Sequence, residues 1–308
     1  IRGRHPRSRM SVRPSKLFIF ALVAATASGP LAMQMFLPAL PAIQKTFAVD
    51  AGAAQLAFSL SLFSMAVATL AYGPLSDRFG RRPVLIGGMV LFFAGGVVCA
   101  VAPTIEILIV ARVAQAMGGA AGIVLARSIM RDVYGHDGSA RMISYLLMAM
   151  ITAPMVAPTL GGVLTDLTGW RGIFVVASVI AFGIIVLIYW QAPETHGAAA
   201  RAAAGGGLLA GMVHLMRNPT FLGYVLGSSF AMAIFFAFLG AAPYLMVNTL
   251  GGTASEYGLY FLPAPAAFIL GTFISTRLIG RYGIDRLIFH GAIATLVLTL
   301  ASAAAVAL

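Results

Sequence analysis

The stretch Gly73–Pro74–Leu75–Ser76–Asp77–Arg78–Phe79–Gly80–Arg81–Arg82 decides how this chain is read. It lies between two long apolar runs, and nowhere else do so many charges fall within so few residues. It reads as a hairpin between two spanning helices, one ending near Tyr72 and the next beginning near Pro83. Gly73 and Gly80 supply the backbone freedom that a tight link needs. Asp77 is placed either to accept from backbone N–H groups at a helix start or to pair with the neighbouring arginines.

Composition agrees with such a hairpin. Of 308 residues, 60% are hydrophobic and only 9% charged, with a mean hydropathy of +0.95. A soluble domain carries roughly 25% charged residues, so the chain is an all-helical, polytopic membrane protein with the bilayer as its first partner. A net charge of +11 would point to nucleic acid in a soluble chain. Here the basic residues gather in the links between apolar runs, and nucleic acid is not expected as a partner. The one cysteine, Cys99, sits in an apolar run and has no intrachain partner. No zinc spacing or cofactor motif appears, so neither metal nor cofactor is expected.

Nine apolar runs are long enough to cross the hydrocarbon, which takes about 20 residues. They fall at about 17–40, 53–75, 83–102, 105–127, 141–164, 171–191, 219–247, 256–279 and 286–308. Helices are required because backbone groups in lipid must be satisfied within their own segment. Residues 1–9 are Arg-rich and are set aside, Met10 reading as the natural start. The run from Leu17 passes a signal-peptide-like Ala25–Thr26–Ala27 and continues to Leu40, so it reads as an uncleaved helix.

Of the 20 lysines and arginines, Lys45 and Arg171 fall on one side of the membrane, and Arg112 falls within it. All the others fall on the opposite side, which the positive-inside rule makes cytoplasmic, together with the N-terminus. Trp170 and Trp190 mark the two ends of the sixth run, where interfacial aromatics belong.

Residues 192–218 hold Pro193, an alanine-rich run and Gly205–Gly206–Gly207, a weakly structured central loop. It separates a tail and six-helix half, 1–191, from three further spans, 219–308. The later part repeats the earlier one: Pro243 answers Pro41, and Arg281–Tyr282–Gly283 answers Arg78–Phe79–Gly80. On that register Leu308 corresponds to about Ile105, so a second six-helix repeat is expected to be only half present. Two such halves with a site between them near the midplane form a transporter architecture.

Arg112 is the most informative single residue. It lies about two turns into the fourth run, where an unpartnered charge costs several kcal/mol. Gln115, Gly119 and Gly122 follow at helical spacing on one face, so Arg112 is expected to meet a polar, closely packed surface. In the fifth run, Ala153–Pro154–Met155–Val156–Ala157–Pro158–Thr159–Leu160–Gly161–Gly162 combines two helix-bending prolines with small residues that admit a neighbouring helix. Pro263 and Pro265 interrupt the eighth run similarly.

The loop pattern with Asp77, Arg78, Gly80, Arg81 and Arg82 resembles the signature of the major facilitator superfamily of secondary transporters. Arg112-x-x-Gln115-x-x-Gly-Gly is similar to that superfamily's fourth-helix signature, which is attributed to proton coupling or to holding the cavity. The Pro154–Gly162 segment is similar to its antiporter signature, with alanine at both leading glycines, and implies efflux. Met33–Gln34–Met35–Phe36–Leu37–Pro38–Ala39–Leu40–Pro41 resembles the first helix of the bicyclomycin/chloramphenicol-resistance group of drug–proton antiporters. That group places an aspartate in this run, whereas Gln34 cannot titrate.

The resemblance implies a bacterial inner-membrane protein, monomeric, that exports small lipophilic or amphipathic compounds by alternating access. It implies protons as the coupling ion. It also implies gating roles for Asp77, Arg78, Arg81, Arg82, Arg112, Gln115, Pro154, Pro158, Gly161 and Gly162. Met33, Gln34, Phe36 and Phe235, with Met232 and Phe238, are expected to line the substrate cavity. No Asp or Glu falls inside any of the nine runs, so coupling would have to use Asp77, Asp132 or Glu106 at their edges, or helices beyond Leu308. No Gly-x-x-x-x-Gly-Lys-Ser/Thr is present to bind ATP, and no Gly-x-Ser-x-Gly or His-Glu-x-x-His suggests an enzyme. A sugar or metabolite transporter of the same fold, and a truncated, non-transporting membrane protein, remain as alternatives.

Overall fold

The computed structural model describes residues 15–195 and 215–307. The expectations on residues 1–9 and on Gly205–Gly207 lie outside them. Among the described residues, eight helices are long and apolar enough to cross a membrane: Lys16–Phe47, Ala51–Phe79, Arg81–Val101, Ile105–Gly135, Met142–Thr168, Trp170–Gln191, Pro219–Thr249 and Ala254–Ser275. They are called the first to eighth spans. The ninth run forms the helix Ile284–Ala307. All of the elements assigned among the described residues are helical.

Each boundary has a local cause. Ser15 caps the first span by accepting from the Phe18 N–H, and Asp50 caps the second from Ala53 at 2.9 Å. Pro38 turns the first span into a short 3₁₀ segment, Leu37–Ala39, before the helix resumes at Leu40. The first helix runs unbroken through Ala25 and Thr26, both buried. Gly135, at φ 69°, breaks the long helix between the fourth and fifth spans, and Gly169, at φ 76°, separates the fifth from the sixth. A π-helical segment, Leu245–Thr249, follows Pro243, and the eighth span's helix is interrupted at Leu262 just before Pro263.

The hairpin differs from the sequence expectation. The second span continues past Tyr72 to Phe79 and the third begins at Arg81, so the link is Gly80 alone. Gly73 is an ordinary helical residue, because Pro74 forfeits one hydrogen bond without ending the helix. Gly80 carries the whole reversal at φ 103°, a conformation that L side chains rarely adopt. Gly283 plays the same part between helices Pro263–Tyr282 and Ile284–Ala307, at φ 76°. The two positions paired by the internal repeat thus share one backbone device.

Two compact units divide the described residues, one up to Leu259 and one from Tyr260 onward. Within the first, the fourth span is the axis of packing. A side chain on Gly119 would press on the Gly29 backbone, and one on Gly122 on the Ala25 carbonyl, so the first span lies directly against it. On another face Gly118 meets Gly88 and Phe92 of the third span. Small residues rather than large ones set these crossings, as expected where lipid gives no hydrophobic drive to helix pairing. The outward faces stay apolar: in the sixth span Ala177, Ala181 and Ile184 are buried, while Val179 and Phe182 are exposed.

Candidate functional site

Three sets of candidate side chains emerge within the first unit. The first surrounds Gly80. Arg81 binds Asp77 at 2.7 Å and Asp132 at 3.3 Å, and its guanidinium also reaches the Ser76 hydroxyl. Thr195 donates to the same Asp132 oxygen at 3.3 Å. Asp77 therefore sits in the last turn of the second span and pairs with an arginine; it is not at a helix start.

The helix start is served by Glu194. Its carboxylate accepts from the backbone N–H groups of Arg81 at 3.0 Å and Arg82 at 3.3 Å, at the N-terminus of the third span. Free N–H groups and the helix dipole both favour an anion there. A side chain on Gly80 would come within 2.6 Å of that carboxylate, so glycine is needed for approach as well as for φ. Sequence reasoning passed over Glu194. The available signal was Pro193–Glu194–Thr195 directly after the sixth span, Glu194 being the one acidic residue of 192–218. Arg82 donates to the Tyr189 carbonyl at 2.6 Å and lies over that ring, while Arg78 is exposed and stacks on Phe79. The cluster ties together the ends of the second, third, fourth and sixth spans.

The second set surrounds Arg112, which is only 1% exposed. Its guanidinium lies 4.3 Å from the centroid of Phe36 and 5.7 Å from that of Phe174. One nitrogen donates to Gln115 Oε1 at 2.8 Å and another reaches Met33 Sδ at 3.2 Å. Phe36 and Phe174 in turn pack 5.9 Å apart. The expected polar surface is thus an aromatic cage with one amide and one thioether. Gln34 is buried beside this region of the first span, and its Oε1 has no hydrogen-bond partner among the described residues.

The third set is the fifth span's small-residue face. Pro154 and Pro158 lie inside a helix that continues through both. A side chain on Gly161 would collide with the Met35 backbone, and one on Gly162 with Ala254 and Ser255. Thr159 donates to the Gly258 carbonyl at 2.9 Å, and Asp166 accepts from the Ser255 N–H at 2.9 Å. The fifth span is therefore clasped between the first span and the start of the eighth. The close approach expected from the small residues is present.

The apolar cavity set does not come together. Met33 and Phe36 are buried around Arg112, whereas Met232, Phe235 and Phe238 are exposed, Phe235 by 40%. Phe235 packs edge-on against Phe236, which in turn faces Phe58. Helical spacing alone could not separate these two environments, since both stretches are apolar all round.

With this geometry in hand, the chain can be set beside known proteins. Residues 22–308 match the family model described as Major Facilitator Superfamily. An "uncharacterized MFS-type transporter YdgK" of Bacillus subtilis (strain 168) is 33% identical over 267 residues, 86% of this chain and 65% of that protein. The "bicyclomycin resistance protein homolog" of Haemophilus influenzae is 26% identical, over 88% of this chain and 69% of its own length. "Multidrug resistance protein D" of Escherichia coli (strain K12) is 32% identical, over 81% and 63%. This chain thus spans about two thirds of the length of the relatives it matches. Among solved structures, an inward-facing bacterial homologue of the human lysosomal transporter Spinster superposes with a TM-score of 0.71 at 20% identity, covering 86% of this chain and 63% of that one. A D-xylose–proton symporter gives 0.59 at 17% identity, over 87% and 70%. At such identities the superpositions establish a shared fold.

Proposed function

The chain belongs to the Major Facilitator Superfamily, and from that premise we propose that it forms the greater part of a secondary transporter exporting small lipophilic or amphipathic compounds by alternating access. The observation that carries this reading is the fifth span's clasp. Gly161 and Gly162 hold it against the first span on one side and the eighth on the other, with no side chain between the backbones. Such a seam transmits a rocking motion because two packed surfaces can separate and rejoin without repacking large side chains. The resistance functions printed in the names of the similar proteins support export of antibiotic-like compounds.

In this reading residues 1–191 make the N-terminal six-helix half, 192–218 the central loop, and 219–308 three helices of the second half. The N-terminus lies in the cytoplasm of a bacterial inner membrane, since the basic residues fall on that side. The protein acts as a monomer. Asp77, Arg78, Arg81 and Arg82 form the cytoplasmic brace, with Pro154, Pro158, Gly161 and Gly162 at the opposing seam. Arg112 and Gln115 hold the interior, and Met33, Gln34, Phe36 and Phe235 contribute to substrate contact as the bundle opens. Protons are the coupling ion, taken up by Asp77 or Asp132. Asp77, 40% exposed at its side chain, is the member of the brace able to exchange partners.

The test is dye efflux. The full-length gene is expressed in a bacterial strain stripped of its own drug pumps, and accumulation of a lipophilic fluorescent dye is followed with and without a proton gradient. Accumulation lowered by the protein and restored by collapsing the gradient is the expected result. Equal accumulation with and without a well-expressed protein rejects export.

A further inference from the structure

We propose that the interior of the six-helix bundle holds a binding site for a small monovalent anion of the chloride class, formed by Arg112, Gln115 and Ser178. The site goes beyond the export reading and rests on how the first six spans pack.

Arg112 offers five N–H donors. Two of them are engaged, one by an amide oxygen and one by a thioether, which is a weak acceptor. Its Nε has no partner among the described residues. Gln115 spends its oxygen on Arg112 and leaves its own Nε2 unpartnered, although the residue is fully buried. Ser178, 5% exposed, is likewise unpartnered at Oγ. That is unusual for this chain. Ser28, Ser61, Ser64, Ser76 and Ser128 each donate to a carbonyl three or four residues back, the ordinary fate of a helical serine.

Two of these free donors converge. Gln115 Nε2 and Ser178 Oγ flank the same glycine, Gly96, at 3.0 and 2.5 Å from where its Cβ would stand. The Phe174 carbonyl also borders that point, at 3.7 Å, and the Phe174 ring walls Arg112. Gly96 is what admits both donors, since a side chain there would collide with them, and Arg112 adds the third donor and the positive charge.

Charge decides what fills it. Neither Arg81–Asp77 nor Arg81–Asp132 involves Arg112, and none of the described carboxylates neutralises it. A buried charge without a counter-charge costs several kcal/mol. Cation–π contact returns only about 2 kcal/mol when desolvated. Water would satisfy the hydrogen bonds but would leave the charge uncompensated. An anion does both.

Cys99 provides the readout, being buried and the only cysteine in the chain. A thiol-reactive dye then reports thermal unfolding of the purified protein in detergent. Chloride replaces gluconate stepwise at constant ionic strength and without any transported compound, so the outcome is independent of whether export occurs. The unfolding midpoint is expected to rise saturably with chloride. Ser178→Ala removes one hydrogen bond to a charged ligand and should raise the half-saturating chloride concentration about tenfold. Ser178→Asp supplies an internal carboxylate and should make the midpoint indifferent to chloride. Coincident chloride and gluconate midpoints in the parent would overturn the proposal. So would a chloride effect unchanged in both Ser178 variants, because the ion would then act elsewhere.

Discussion

Arg81 and Arg112 are the same side chain put to opposite uses. Arg81, 12% exposed at its side chain, binds two carboxylates and a hydroxyl at the edge of the membrane. Arg112, 1% exposed, binds none of the described carboxylates and lies between two aromatic rings. Around Arg81 the partners overlap, and water can replace any one of them. Around Arg112 nothing substitutes for what is lost. A charge that is expensive to bury and has no counter-charge to offset it is more easily explained by operation than by stability. The partnered arginine should therefore tolerate change, and the caged one should not.

The largest break in this contrast is expected from Arg112→Ala in the full-length protein. It should lower substrate flux in proteoliposomes by at least about tenfold. Arg112→Lys should restore little of it, because an ammonium cannot present a planar fork to an amide and two rings. Near-parental flux in Arg112→Ala would remove the operational role.

Gln34→Asp tests the caged side from its neighbour. It introduces a titratable group, ordinarily near 3.9, beside an arginine paired with none of the described carboxylates. Flux should then vary with pH between about 4 and 8 in a way that the parent does not. Superimposable pH profiles would show that position 34 takes no part.

At the Arg81 end, Gly80→Ala should be the most damaging substitution. It forces a side chain into an extended positive-φ conformation, at roughly 1–3 kcal/mol, and also into the Glu194 carboxylate. The unfolding midpoint should fall by several degrees. An unchanged midpoint would mean that the hinge relaxes freely.

The smallest effects separate the two acids of the brace. Glu194→Gln weakens two charge-assisted bonds to a helix start and should destabilise the protein by about 1 kcal/mol or more. Asp77→Asn should cost less than about 1 kcal/mol, because its pair is solvent-screened. If Asp77→Asn spares stability but slows flux, Asp77 is the exchanging member of the brace. If it changes neither, Asp77 is an ordinary helix-end charge. A larger loss of stability for Asp77→Asn than for Glu194→Gln would invert the proposed order within the brace.

What the sequence determined by itself is everything set by a local sum. Crossing a bilayer depends on some 20 residues and their hydropathy, so the span starts were readable to within a few residues, while the first and fourth helices run on past their apolar cores to Phe47 and Gly135. A helix reversal in a single residue needs positive φ, and Gly80 and its repeat mate Gly283 were both in view. Small residues beside Pro158 foretold a close helix contact, and Gly161 makes one. Tertiary structure alone decided the partners. Whether Asp77 or Glu194 serves the third helix depends on which carboxylate arrives there in space, and Glu194 comes from more than a hundred residues away. Arg112's partners come from the first, fourth and sixth spans, and those helices look alike in hydropathy. In lipid the hydrophobic term does not distinguish one apolar face from another. Close packing and unmet hydrogen bonds make that choice, and both exist only after the helices have met.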